Sequence, residues 1–350
     1  DDGRRQDQCV HWPLTVVLGW SGLEAEMRVL VSCDAGLVGE HIASLLTAGD
    51  HVVITLDAAA TDVPTDVDVV VHPAGREASH GGFDGALDCA AESEAQLLGL
   101  LHALHHASFA GPIIVTSTAG VYGESALLCP THGTVTAERS TRIISRGVFD
   151  AHCPFCGAVL DTLPLRETAP TNPHRPAAAT SLHHEHLCNA YAHEHPGCTV
   201  AALRFHSVYG PGMAVGEEYG VIGAWLARMD AGERPLVYED GGQLRDPIHV
   251  RDAARAAVMA ITASEPYHGP LNVGGGRAVT VLELATMLCV ASGASAWPQL
   301  TNTHRPGDVR HLTTDQSRIS QMLGFRPASA IAEGLAETWR HHTRRLTASF

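Results

Sequence analysis

Met27-Arg-Val-Leu-Val-Ser-Cys-Asp-Ala-Gly-Leu-Val-Gly39 is the stretch on which the reading of this chain turns. Met27 to Ser32 is a short β-branched run, and it leads through Ala35-Gly36-Leu37-Val38-Gly39 into a helical pattern from Glu40 to Ala48, stopped by Gly49. Working outward, His51 to Asp57 and Val67 to His72 are two further apolar runs, and a long Ala/Leu helix follows from Ala90 to Ala107. Pro112 to Ser117 reads as a fourth strand, Ser181 to Glu194 as a helix, and Val200 to Phe205 as a fifth strand. Apolar strands alternating with helices predict a parallel sheet covered on both faces.

The chain is therefore expected to be α/β, a Rossmann-like doubly wound parallel sheet with a smaller C-terminal substrate lobe. Residues 27–210 are read as the nucleotide-binding core and 211–345 as the lobe interleaved with it. Helices are predicted near Ile222–Ala231, Asp252–Ala263 and Leu282–Ser292. Residues 124–175 interrupt the core with an irregular insertion rich in Pro and Thr. Residues 1–26 are expected to be a disordered extension; the run from Trp12 to Trp20 is short for a signal peptide and is broken by Pro13. The 350 residues are 45% apolar and 17% charged, as in an ordinary globular protein. A net charge of -15 argues against nucleic-acid and anionic-membrane partners. All 23 basic residues are arginine, so no lysine can relay a proton or form a Schiff base. Unpaired-looking cysteines on such a fold predict a cytoplasmic protein.

Six blocks together resemble the extended short-chain dehydrogenase/reductases, the NAD-dependent sugar-nucleotide epimerase/dehydratase family. They are Met27–Gly39, Thr116-Ser-Thr-Ala-Gly-Val-Tyr-Gly123, Leu203-Arg-Phe-His-Ser-Val-Tyr-Gly-Pro211, Gln243-Leu-Arg-Asp-Pro-Ile-His-Val-Arg-Asp252, Leu271-Asn-Val-Gly274 and Arg305-Pro-Gly-Asp308. Within the family, Cys129-Pro-Thr-His132-Gly and Cys153-Pro-Phe-Cys156-Gly match the knuckles of a dTDP-L-rhamnose 4-epimerase-like branch. Two knuckles offering Cys129, His132, Cys153 and Cys156, with no carboxylate, suit a closed tetrahedral structural zinc. The resemblance implies that Arg245 and Arg305 grip the diphosphate of a nucleotide-sugar, that Asp308 meets a ribose or sugar hydroxyl, and that Gly36, Gly39 and Asp57 hold NAD. It also implies a homodimer, or a heterodimer with a paralogue, formed through helices such as Ser181–Glu194.

The pattern breaks on the cofactor and catalytic side. Cys33 stands where the phosphate loop has its first glycine, with Asp34 beside it. Only nine residues, Ala58 to Asp66, separate the second and third strands, too few for a helical crossover, so one edge strand is expected to be missing. Of the family's Tyr-x-x-x-Lys, the tyrosine has become Ala177 and the lysine Ser181, while Thr118 keeps the position of the catalytic Ser/Thr. Losing that pair removes general acid/base catalysis worth about 10²–10⁴-fold. The neighbouring histidines 183, 184, 186 and 193 are expected to form an exposed helix face, with Glu185 structural or exposed. Two readings follow: an NDP-hexose 4-epimerase by ancestry, impaired in its usual chemistry, or a non-catalytic nucleotide-sugar-binding or partner protein.

Overall fold

The computed structural model describes residues 26–32, 36–56, 63–73, 82–217, 219–293, 297–305 and 308–348. The expectations for residues 1–25, for Cys33, Asp34 and Asp57, and for the first half of the link after the second strand lie outside the described residues.

The first half of the chain runs β1 (Arg28–Ser32), α1 (Gly36–Ala48), β2 (Val52–Leu56), β3 (Val69–Pro73), α2 (Gly82–His106) and β4 (Ile113–Thr118). The insertion follows with β5 (Ala126–Cys129), β6 (Gly133–Val135), α3 (Thr141–Ile144) and β7 (Asp161–Leu163), after which α4 (Pro176–Glu194) and β8 (Val200–Phe205) return to the core. Beyond it come β9 (Val208–Tyr209), α5 (Gly220–Asp230), β10 (Leu236–Val237), β11 (Leu244–Arg245), β12 (Ile248–His249) and α6 (Val250–Ile261). The chain closes with β13 (Gly269–Val273), β14 (Val279–Thr280), α7 (Val281–Ser292), β15 (Gln299–Leu300), α8 (Ser317–Leu323) and α9 (Ile331–Ala348).

Six parallel strands form the central sheet in the order β13-β8-β4-β3-β1-β2. The two-residue period of a strand sends its apolar residues to both faces. Val29, Val31, Val69, Val71 and Ile114 pack with Ile42 and Leu46 of α1 and with the buried alanines of α6. Leu30, Val70, Ile113 and Val115 pack with Leu97 and Leu104 of α2 and Cys188 and Tyr191 of α4. Ala253, Ala254, Ala256 and Ala257 are all wholly buried, and such short side chains let α6 lie close against the sheet and α1. A third core joins Trp225, Leu226, Leu284, Leu288 and Leu335 in the C-terminal lobe.

β2 pairs with β1 alone, so it is the edge of the sheet among the described residues. The opposite edge differs from a five-strand reading. β13, drawn from the C-terminal half, extends the sheet beside β8. Its Gly269-Pro-Leu-Asn-Val273 sequence has two strand-forming side chains and reads as loop until a partner strand is supplied. α4 starts at Pro176, five residues before the apolar pattern, because proline is preorganised for the first helical position. The insertion stays outside the central sheet and makes its own antiparallel sheet, in the order β6-β5-β7.

Candidate functional site

A cavity of about 1070 Å³ opens at the carboxyl ends of the central strands. Its sheet side comprises Gly36 to Val38 after β1, Pro73 at the end of β3, Thr118 to Gly120 at β4 and His206 to Val208 after β8. Its far side includes Trp225, Tyr238, Arg245, Arg305 and Asp308. This is where open α/β sheets take ligands, and the volume suits a nucleotide-sized molecule. The N-terminus of α1 faces the cavity at Gly36, whose φ of 53° lies in the left-handed region that glycine favours. The 13-residue helix behind it directs its free N–H groups there, a ready anion site. Gly39 is buried on the same helix.

On the catalytic side, Thr118 ends β4 and its hydroxyl accepts the Gly120 N–H at 3.1 Å, capping the turn Ala119–Tyr122. Ala177 lines the cavity as a methyl group. One helical turn on, Ser181 is fully buried and its hydroxyl donates to the Ala177 carbonyl at 3.0 Å. The structure thus brings Thr118 and Ala177 to one cavity, and Ser181 turns its hydroxyl to the helix backbone. Tyr191, far along α4, donates to the Phe109 carbonyl and serves the core.

The histidines of α4 correct the expectation of one exposed face. His183, His186 and His193 are exposed, but His184 is wholly buried. Its Nδ1 lies 3.1 Å from Nε2 of His72, whose Nδ1 is 2.8 Å from the Ser32 hydroxyl, while its Nε2 is 3.6 Å from a Glu94 carboxylate oxygen. Burial lowers the pKa of His72 to about 3, with His184 adding to the effect, and burial with His183 lowers His184 to about 4. His206 and His249 are lowered by burial in the same way, to about 3 and about 4. The unfolded chain binds more protons than the folded one between these values and 6.5, so stability falls as pH drops from 6.5 towards 4. Asp246, raised by burial to about 6, opposes the trend with one group against four. Urea midpoints are expected to fall steadily over that range, and a flat profile would contradict neutral burial of these rings.

On the lobe side, the Arg245 guanidinium donates to the carbonyls of Leu244 (2.8 Å), Val309 (2.7 Å) and Arg310 (3.0 Å). Carbonyl oxygens orient the fork, and the carboxylates of Asp308, Glu124 and Glu239 act on its charge through space. Arg305 donates to Glu217 and to the Tyr238 hydroxyl, both at 3.0 Å, and stacks over the Tyr238 ring at 4.1 Å. Asp308 lies 3.8 Å from Arg175.

The four knuckle residues also meet. Cys129, His132, Cys153 and Cys156 place one ligand atom each within 4.8 Å of one another. The Cys129 and Cys156 sulfurs are 3.6 Å apart, and His132 Nδ1 is 3.5 Å from both Cys129 and Cys153. A tetrahedral zinc with bonds of about 2.3 Å to sulfur and 2.0–2.1 Å to nitrogen has edges of about 3.8 and 3.5 Å, so the donor set fits that ion. Gly133 and Gly157, directly after each knuckle, have φ of 72° and 75°, and the Gly157 N–H closes a turn onto the Cys153 carbonyl at 2.9 Å.

Sequence reasoning placed Glu185 as structural or exposed, and it proves buried and structural. It accepts from Ser117 at 2.5 Å and from Arg204 at 2.7 Å, and Arg204 and Asn272 both bond the Tyr122 hydroxyl. The signal was available in Leu203-Arg-Phe205, where a charge interrupts an otherwise apolar buried strand.

A doubly wound parallel sheet with a cavity beyond its carboxyl edge, lined there by Arg245 and Arg305, is a Rossmann-type α/β fold. Residues 152–274 match the model of the NAD dependent epimerase/dehydratase family. The dTDP-L-rhamnose 4-epimerase of Burkholderia thailandensis is 31% identical over 65% of this chain and 62% of its own length. The dTDP-glucose 4,6-dehydratase of an Actinoplanes species is matched over 54% of its length, so the chain spans between half and two thirds of these curated relatives. The UDP-glucose 4-epimerase of Mycolicibacterium smegmatis is 29% identical over 89% of this chain and 97% of its own. Among solved structures, the UDP-glucose 4-epimerase of Thermus thermophilus in complex with NAD is 26% identical, with a TM-score of 0.68 over 91% of this chain and 99% of that one. Residues 152–274 are thus similar to that family, and the relatives named here are dTDP- and UDP-sugar 4-epimerases and a dehydratase.

Proposed function

We propose that the cavity binds a nucleotide-sugar and that the chain does not use the tyrosine/lysine chemistry of its relatives. The observation that carries this reading is an asymmetry across one cavity. The lobe side offers Arg245, Arg305 and Asp308, whereas α4 offers the methyl groups of Ala177 and Ala178 where a phenol would stand. The α1 N-terminus is the place for the pyrophosphate of NAD, the cofactor named with several structural relatives. The cysteine–histidine cluster, by its donor set, is a structural zinc site.

Calorimetric titration with UDP-glucose, a dTDP-hexose and, separately, NAD tests the reading. A nucleotide-sugar is expected to bind, and Arg245→Ala is expected to weaken it about 10–100-fold, the worth of one or two charge-assisted hydrogen bonds. No 4-epimerase turnover is expected with NAD added. Turnover within the ordinary range of about 1–10³ s⁻¹ would overturn the second half of the proposal. Absence of nucleotide-sugar binding would overturn the first.

Self-association through α2 and α4 belongs to the same reading. Phe83, Leu87 and Leu98 are 67%, 49% and 51% exposed, and their spacing of four and eleven residues puts them on one face of α2. Leu98→Glu is expected to shift the protein to monomer in sedimentation, and an unchanged sedimentation coefficient would count against that face.

A further inference from the structure

The segment from Asp308 to Thr314 lies between the insertion and the arginine side of the cavity. On the insertion side, Glu124 accepts the N–H groups of Arg310 (3.1 Å) and His311 (2.6 Å), Ser125 donates its N–H to the His311 carbonyl (2.9 Å), and Leu165 donates to the Thr313 carbonyl (2.9 Å). On the cavity side, Leu312 donates to the Leu244 carbonyl at 3.1 Å, and the carbonyls of Val309 and Arg310 orient Arg245. Two arginines tie the layers together. Arg310, 3% exposed, binds Asp150 of the insertion (2.8 Å), Glu239 (2.8 Å) and Asp240 (2.6 Å). Arg139, also from the insertion, donates to Glu239 (2.9 Å), to the Asp308 carbonyl (2.8 Å) and to the Phe149 carbonyl (3.3 Å).

We propose that the insertion is a brace for the ligand cavity, with Arg139 the positioning residue that couples the metal-bound fold of the insertion to Arg245 and Asp308. The proposal rests on the cavity being a nucleotide-sugar site. The path is short: Phe149 and Asp150 closely precede Cys153, and Glu124 and Ser125 directly precede β5, which ends in Cys129. A metal that clamps Cys129 and Cys153 therefore holds both insertion segments that touch Asp308–Thr314. Releasing it loosens Asp150, one of three carboxylates on a buried guanidinium, and with it the carbonyls that aim Arg245. Coupling of this kind is reciprocal, so a nucleotide in the cavity tightens the metal by the same factor that the metal tightens the nucleotide.

The test uses UDP and dTDP as calorimetric probes on the 350-residue chain, once with its metal and once stripped by a chelator. Hydrogen exchange of peptides covering 308–314 is followed in the same samples without nucleotide. Stripping is expected to speed exchange in that segment and to weaken nucleotide binding about 5-fold or more. Arg139→Gln, with its metal retained, is expected to bind nucleotide more weakly and to show little further change on stripping, and Arg139→Lys is expected to recover part of the coupling. A purely structural role for Arg139 would lower stability and leave the metal dependence of nucleotide binding intact. Unchanged exchange in 308–314 and unchanged affinity on stripping would overturn the brace. If stripping unfolds the chain, wild-type exchange and affinity in metal-loaded Arg139→Gln would overturn it instead. If loaded wild-type protein binds neither nucleotide, the cavity reading fails alone, and the exchange measurement still decides the brace.

Discussion

Cys153→Ser/Cys156→Ser protein is expected to lose one equivalent of bound metal and the ordered structure of residues 126–163. The insertion has few means of holding itself together. Its core consists of Leu127, Cys129, Ala151, Cys153 and Leu160, two of which are the proposed ligands themselves. So small an apolar cluster cannot offset the ordering of roughly forty residues. Structural zinc supplies apparent folding free energies of about 10–16 kcal/mol in isolated knuckle peptides, as much as the whole stability of an ordinary domain. Serine hydroxyls in place of two thiolates forfeit most of that term, while the central sheet, with its two separate cores, keeps its fold. Elemental analysis and hydrogen exchange read the two halves of the prediction. Full protection of 126–163 in protein that never held metal would mean that packing alone stabilises the insertion.

Arg204→Met is expected to cost about 3–5 kcal/mol, the range for breaking a buried ion pair from one side. The Arg204 and Glu185 side chains are 7% and 4% exposed, and three nitrogen–oxygen contacts of 2.7–3.2 Å join them. Arg204 also donates to the Tyr122 hydroxyl at 2.8 Å and lies over that ring. Removing it strands the Glu185 carboxylate in the core, with the Ser117 hydroxyl still donating to it. Glu185→Leu/Arg204→Met removes both charges and is expected to be milder than the single change, because no orphaned charge is left. Urea unfolding of the three proteins measures the order. A single variant within about 1 kcal/mol of wild type would mean that the carboxylate finds other partners or a proton.

Legibility followed the range of the interactions. The knuckle set was readable because each pair of ligands lies three residues apart, with a glycine behind it, and local spacing alone presents both donors. That Ala177 and Ser181 sit one above the other on a helix was readable for the same reason: one helical turn is a local relation. His184 was not. It shares its stretch with exposed His183 and His186, and its burial depends on His72, 112 positions away. Arg310 gave no signal either, since its carboxylate partners Asp150 and Glu239 lie 160 and 71 residues distant.

By itself the sequence determined the alternation of strands and helices, the doubly wound sheet and the cysteine–histidine set, all consequences of periodicity or near-neighbour spacing. Only the tertiary structure decided that Gly269–Val273 completes the sheet, that Glu185 and Arg204 are a buried pair, and that the insertion bears on the segment beside Arg245. Each of these depends on side chains and strands meeting across stretches of chain that no local pattern spans, where burial and pairing are set by the packed fold.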